Sequence, residues 1–206
     1  NGNANDSSTQ AKNGTETAMS YVAGRLDQAG SFNGTTSRID IGDQTVYDFG
    51  ATDSFSIVAW VKTSTAGGTR EVVSKLNSGL NGYAIQKQTN NIPRMFLLGS
   101  SGGVGTVSFV DTIHDNVWHL LIGVRDAGTD ELRSYLDGTL KQTVTDPTGG
   151  TFDTTGSLMI GGNTNLNNFW VDLIDDVRIY NRVLNTYEIS QLYAVEIVAI
   201  NAGALT

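Results

Sequence analysis

The sequence predicts an all-β fold, a two-sheet antiparallel jelly-roll sandwich with one short helix near the C-terminus. Three observations lead there. Hydrophobic residues make up 39% and charged residues only 17% of the chain, so the polar share falls to Thr, Ser, Asn and 24 Gly. That is the usage of many short strands joined by turns, not of helices with charged outer faces. Segments of period-two alternation recur at short intervals, and only one segment carries helix signals. At 206 residues the chain is long for one domain, but β-sandwiches of about 200–250 residues form single units, and a core of this size needs no covalent staple.

Taken in order, residues 1–17 are polar and turn-rich and read as a loop or an edge segment pinned to the body. Phe55–Lys62 alternates, with Phe55, Ile57, Ala59 and Val61 on one face and Ser56, Val58, Trp60 and Lys62 on the other. Glu71–Lys75 and Tyr83–Lys87 follow, joined by a turn from Asn77 to Gly82. Arg94–Leu98 and Thr106–Val110 flank a glycine-serine loop. Trp118–Val124 and Leu132–Leu136 are apolar, and Asp137-Gly138 makes a two-residue hairpin to Leu140 because both residues tolerate positive φ. Leu158–Ile160 leads into the Gly/Asn-rich loop Gly161–Asn168, and Phe169–Tyr180 is the last strand. The helix signals are Asn185 as cap, Glu188 three residues on, and a buried stripe of Ile189, Leu192 and Tyr193, for two to three turns. One domain over 1–193 is therefore expected, with 194–206 as a closing strand or linker.

Thirteen Lys and Arg stand against 21 Asp and Glu, a net charge of −8. A field of that sign repels phosphate backbones and anionic lipid, so neither nucleic acid nor a membrane surface is an expected partner. No apolar run approaches the ~20 residues of a membrane helix. There is no cysteine, which for an extracellular-type domain points to a bacterial or phage product. No leader peptide stands at Asn1, so a mature or excised part of a larger multidomain chain is expected, secreted or at the cell surface.

Ser31–Gly34 with Ile39-Asp40-Ile41, the Phe55–Lys62 strand, and Ile174–Leu184 continuing through Glu188-Ile189 and Leu192-Tyr193 carry a resemblance, supported by Trp118-His119 and Tyr135–Gly138. In that order they are similar to a laminin-G-like jelly roll of the concanavalin A-like lectin/glucanase superfamily. The resemblance implies two curved antiparallel sheets, a binding or accessory role in secreted, often carbohydrate-active proteins, and a structural calcium. Calcium takes six to eight oxygens, and the family pattern would draw them from Asp6, Asn33, Gly34 and Asp175. Asn33 stands where the family commonly has Asp, an oxygen kept and a charge lost.

Catalytic readings find little. A glycoside hydrolase needs two carboxyl groups about 5–9.5 Å apart, and none of the five Glu has a carboxylate two residues along a strand. Asp172 and Asp175 are out of phase. His119 with Tyr135 would be the pair of a lyase, but Trp118-His119 reads as framework, and His114 as a turn residue. No Gly-x-Ser-x-Gly elbow and no phosphate loop with its Lys is present. What remains is a binding surface. Trp60, Lys87, Arg133 and Tyr135, if brought to one concave sheet, would form an aromatic-plus-cation trough for a polysaccharide or glycan, and the cations would suit an anionic one. The Gly161–Asn168 loop with Phe169 and Trp170 is a second candidate rim. The expectation is a non-catalytic carbohydrate-binding module; the alternatives are a protein–protein adhesion module and a glycan lyase or hydrolase of the same fold.

Overall fold

The computed structural model describes residues 2–76 and 81–202, with 195–202 as backbone only. In chain order the strands are β1 (Thr15–Thr17), β2 (Ser20–Ala23), β3 (Gln28–Asn33), β4 (Arg38–Gly42) and β5 (Phe55–Lys62). Next come β6 (Arg70–Leu76), β7 (Gly82–Lys87), β8 (Pro93–Leu98), β9 (Val104–Ser108) and β10 (His119–Asp126). The last are β11 (Glu131–Leu136), β12 (Thr139–Thr145), β13 (Leu158–Ile160) and β14 (Val171–Tyr180), followed by the helix α1 (Thr186–Ala202). The first sheet has the order β1-β4-β13-β6-β7-β8-β9, and the second β12-β11-β10-β5-β14-β3-β2. Every pairing is antiparallel. The sandwich matches the expected jelly roll.

The core lies between the sheets. Phe55, Ile57, Ala59 and Val61 of β5 are fully buried against Tyr83, Ile85, Met95, Leu97 and Val107 of the first sheet. Phe49 stacks on Phe55 at 4.3 Å, and Tyr83 and Phe152 close around the pair. Each such ring withdrawn from water contributes on the order of 2–3 kcal/mol before the ordering entropy is counted.

Asp137 and Gly138 adopt φ of 52° and 77°, the turn their side chains allow. The helix start carries its capping box: Glu188 N donates to Asn185 Oδ1 at 2.9 Å, and Asn185 N to Glu188 Oε2 at 2.9 Å. Two stretches add to the reading from sequence. The polar opening supplies the edge segment that is one of its two readings, β1 on the edge of β4, whereas β2 to β4 complete the sheets where the sequence offers only short, glycine-broken alternation. The helix continues past Tyr193 to Ala202, so the segment read as a closing strand or linker begins as helix, an extension of one whose first turns already lie on the second sheet. The expected turn after Leu76 falls largely on 77–80, and the tail on 203–206, outside the described residues.

Candidate functional site

The outer face of the first sheet holds a set of buried polar side chains. Antiparallel partners point to the same face, and the register aligns Glu71 with Gln86 and Gln86 with Arg94. One step along, Ser74 aligns with Ala84 and Ala84 with Phe96, while Met159 lies on the other side of Ser74. The neighbouring residues Tyr83, Ile85, Met95 and Leu97 face the core, so this row faces away from it. Glu71 and Ser74 are three residues apart, which regular strand geometry would send to opposite faces. The register shift between Glu71 and Val73 puts both outside, as a bulge does by adding one residue to one strand. Glu71 is 2% exposed, Ser74 1% and Gln86 5%.

A loop from Gly161 to Phe169 forms the wall on one side. It is stitched to β6 by backbone bonds, Gly161 N to Val72 O at 3.0 Å and Glu71 N to Asn168 O at 2.8 Å, and by Thr164 Oγ1 to Leu76 O at 2.8 Å. Gly161 has φ of 77°, and a Cβ there would lie 2.1 Å from the Phe32 ring, so the loop can leave the sheet at this point only with glycine. Asn163 Nδ2 donates to Asn167 Oδ1 at 2.8 Å, and Arg70 Nη1 to Phe169 O at 2.8 Å. On the other side, half-exposed Arg94 lies over the Phe96 ring at 4.8 Å and donates from Nη2 to Gln86 Oε1 at 3.0 Å.

Burial pushes the Glu71 carboxyl up to about 7, against the opposing pull of the Asn168 and Asn163 amides and the Arg94 charge. Burial likewise holds Arg94 below its ordinary value, with the Glu71 charge opposing. Among the described residues, Glu71 Oε2, Ser74 Oγ and Arg94 Nε are buried without a hydrogen-bond partner, as are Arg38 Nε and Arg70 Nε. An unsatisfied buried polar atom costs about 1–3 kcal/mol, a cost that a water or a ligand hydroxyl reaching this face would relieve. The set offers a carboxylate acceptor, a hydroxyl, amides that both donate and accept, a guanidinium and a ring. These are the groups that hold a saccharide. The other carboxylate on this face, Asp40, pairs with Met159 on the far side of Ser74, which leaves it on the order of 13 Å from Glu71 by strand spacing and rise. That is too far for a hydrolytic pair.

The expected trough does not assemble. Trp60 is 1% exposed and lies with Tyr135 in a second apolar cluster on the outer face of the second sheet, roofed by Leu184, Ile189, Leu192 and Tyr193 of the C-terminal segment. Alternation rightly turned Trp60 away from the core, but burial beneath a helix denies its face to a sugar. Arg133 is held by Glu131 and Asp126 at 2.6 and 2.9 Å. Lys87 belongs to the first sheet, is fully buried, and donates to Gly67 O and Asn91 Oδ1. His119 and Tyr135 face opposite sides of the second sheet, and His119 is clamped between Asp137 and Asp115 at 2.8 and 3.1 Å. Of the sequence candidates, the Gly161–Asn168 loop stands at the polar cluster. Glu71, Ser74 and Arg94 escaped detection because a bulge and cross-strand register, not local spacing, unite them.

The four expected calcium ligands do not fit one ion. Asn33 pairs with Val171, four residues along β14 from Asp175, roughly 13 Å away. Asn33 Oδ1 accepts from the N–H groups of Thr35, Thr36 and Ser37. The Asp175 carboxylate accepts from Arg25, Leu26 and Asp176, and the Asp6 carboxylate from Ser8 and Lys12. These oxygens cap turns. Gly34, at φ 76°, turns the chain where a Cβ would meet Val171 at 2.3 Å. Among the described residues no group of three or more His, Cys, Asp or Glu is arranged around a metal.

A cleft of about 760 Å³ also opens between the sheets at the β2–β3 and β1–β4 edges, walled by Phe32, Ile39, Leu158, Ile160 and Ile174. Its rim carboxylates Asp6 and Asp175 are taken up by backbone N–H groups and Arg178 by Asp176.

A laminin-G family model, described as concanavalin A-like lectin/glucanases superfamily, matches residues 33–190. Among solved structures, the binding domain of Paraclostridial Mosquitocidal Protein 1 is similar with a TM-score of 0.76 and 19% identity, over 92% of this chain and 48% of that one. The botulinum neurotoxin serotype G binding domain is similar with a TM-score of 0.71 and 19% identity, over 93% and 48%. Domain 4 of AbnA, a GH43 extracellular arabinanase from Geobacillus stearothermophilus solved with arabinotriose, gives 0.70 and 21%, over 93% of both chains. The chain thus spans about half the length of the toxin binding domains it matches. At these identities the likeness is one of fold. No curated protein matches in sequence.

Proposed function

The chain belongs to the concanavalin A-like lectin/glucanase superfamily, and from that premise we propose that it is a non-catalytic carbohydrate-binding module. Its ligand is a neutral saccharide held on the outer face of the first sheet. The observation that carries this reading is the trio of buried, unpartnered polar atoms, Glu71 Oε2, Ser74 Oγ and Arg94 Nε, on one face beside an amide-rich loop. Sugar hydroxyls are both donors and acceptors and can satisfy all three. A buried carboxylate facing the ligand disfavours an anionic glycan, since like charges at short range repel strongly in a low dielectric. This reverses the preference drawn from a Trp60, Lys87, Arg133 and Tyr135 trough. The arabinotriose complex of the similar domain 4 supports a saccharide. That domain's place in an extracellular enzyme supports a module of a larger secreted or surface chain.

The test is calorimetric titration at pH 8 with neutral trisaccharides of arabinose, xylose, glucose and mannose. Glu71→Ala and Arg94→Ala should each weaken the binding partner of the set by roughly tenfold or more, one to two lost charge-assisted hydrogen bonds. Unchanged affinity in both variants would remove the site from this face. A flat panel, with tight binding to a protein receptor instead, would favour the adhesion reading suggested by the toxin binding domains.

A further inference from the structure

Resting on that reading, we propose that saccharide capture at this face is coupled to the loss of a proton from Glu71, so that the module holds its ligand in neutral surroundings and releases it in acid. The geometry supplies the reason. Glu71 is an acid at the floor of the site with one oxygen, Oε2, facing no partner, and among the described residues no ion pair to it forms. Arg94, the cation nearest in register, spends its Nη2 on Gln86 and lies over Phe96. The charged groups around Glu71 are Arg94 on β8, Arg70 next to it in β6, Lys87 opposite Arg70 on β7, and Arg38 with Asp40 on β4 beyond β13. His114 lies before the second sheet and His119 on it, away from this face. Lys87, lowered to about 8 by burial and the Arg70 charge, shares the core-facing side with Tyr83 and Ile85. That leaves Glu71 as the acid of the outer face that burial draws towards neutrality.

In the free protein the carboxyl is protonated up to about pH 7, because burial disfavours the charge. A ligand that swings Arg94 off Gln86 and donates two hydroxyls to Oε2 stabilises the charged form, since hydrogen bonds to an ionised acceptor are about twice as strong as neutral ones. The bound carboxyl therefore ionises at lower pH than the free one. By linkage, binding at pH 6 expels the proton to solvent, and affinity climbs with pH until it levels off above about 7.

Calorimetry with the tightest-binding trisaccharide of the panel, at pH 5.5, 6.5 and 8, reads this directly. Affinity should rise roughly tenfold or more from pH 5.5 to 8, the span of one or more units between free and bound carboxyl. At pH 6.5, heats in two buffers of unlike ionisation enthalpy should report a fraction of a proton released. Glu71→Gln should bind more weakly and with no pH dependence. The carboxyl carbon of Glu71, followed by NMR, should titrate near 7 alone and lower with ligand, which needs no variant. Wild-type affinity that is flat with pH, with no proton released, overturns the coupling and leaves the saccharide site standing. Binding of no saccharide at pH 8 overturns both.

Discussion

Tyr193 of α1 stacks on Trp60 of β5, ring centroids 5.9 Å apart and planes 15° from parallel. The Arg25 guanidinium also sits over the Trp60 ring, 4.7 Å from its centroid. The central strand of the second sheet is thereby buried on both faces, and the C-terminal helix is part of the domain's packing. The largest aromatic on this sheet is structural, and the proposed saccharide face is that of the opposite sheet.

Trp60→Ala should therefore act on stability and not on recognition. Deleting a fully buried indole costs about 3–5 kcal/mol, read as a lower urea midpoint. Protein that remains folded should bind saccharide as the wild type does. A selective loss of affinity with unchanged stability would restore Trp60 as a platform.

Glu71 should weaken the fold at high pH. Its folded value near 7 lies above the unfolded value of about 4.3, so its contribution is fully present below about 4.3 and is lost as pH rises through 7. Glu71→Gln removes that dependence. It should be near neutral at pH 4 and stabilising at pH 8, by up to about 4 kcal/mol. Equal unfolding free energies for the two proteins at pH 8 would contradict this.

His119 behaves the same way in sign for the opposite charge. The hydrogen bond to Asp137 is the main cause of its raised value, with burial opposing and Asp115 assisting. Its stabilisation is complete below its ordinary value near 6.5 and fades as pH rises through the raised one. His119→Gln should cost about 1 kcal/mol more at pH 5.5 than at pH 9, measured by urea unfolding at both.

Arg125 and Asp146 form a buried ion pair at 2.7 Å, and the guanidinium also donates to the carbonyls of Asp53 and Ala51 at 2.7 and 2.8 Å. Asp146→Ala leaves that charge buried without its counter-ion. Such a loss costs about 3–5 kcal/mol, and it should persist in 1 M salt because the pair is shielded from solvent. A loss abolished by salt would mean that water reaches the pair.

The alternating residues of Phe55–Lys62, the positive-φ pair at Asp137-Gly138 and the Asn185–Glu188 box each state their structure locally, because pleat, turn and cap depend on neighbours a few residues away. That was enough for the sandwich, for the face on which Trp60 lies and for the helix start. It was not enough for what covers Trp60, since the helix that roofs it arrives more than a hundred residues later. The candidate site shows the same division. The sequence by itself marked the Gly161–Asn168 stretch as a polar loop, from its composition. Only tertiary structure set Glu71, Ser74, Gln86 and Arg94 beside it, because cross-strand register and one bulge join residues whose spacing along the chain carries no common period.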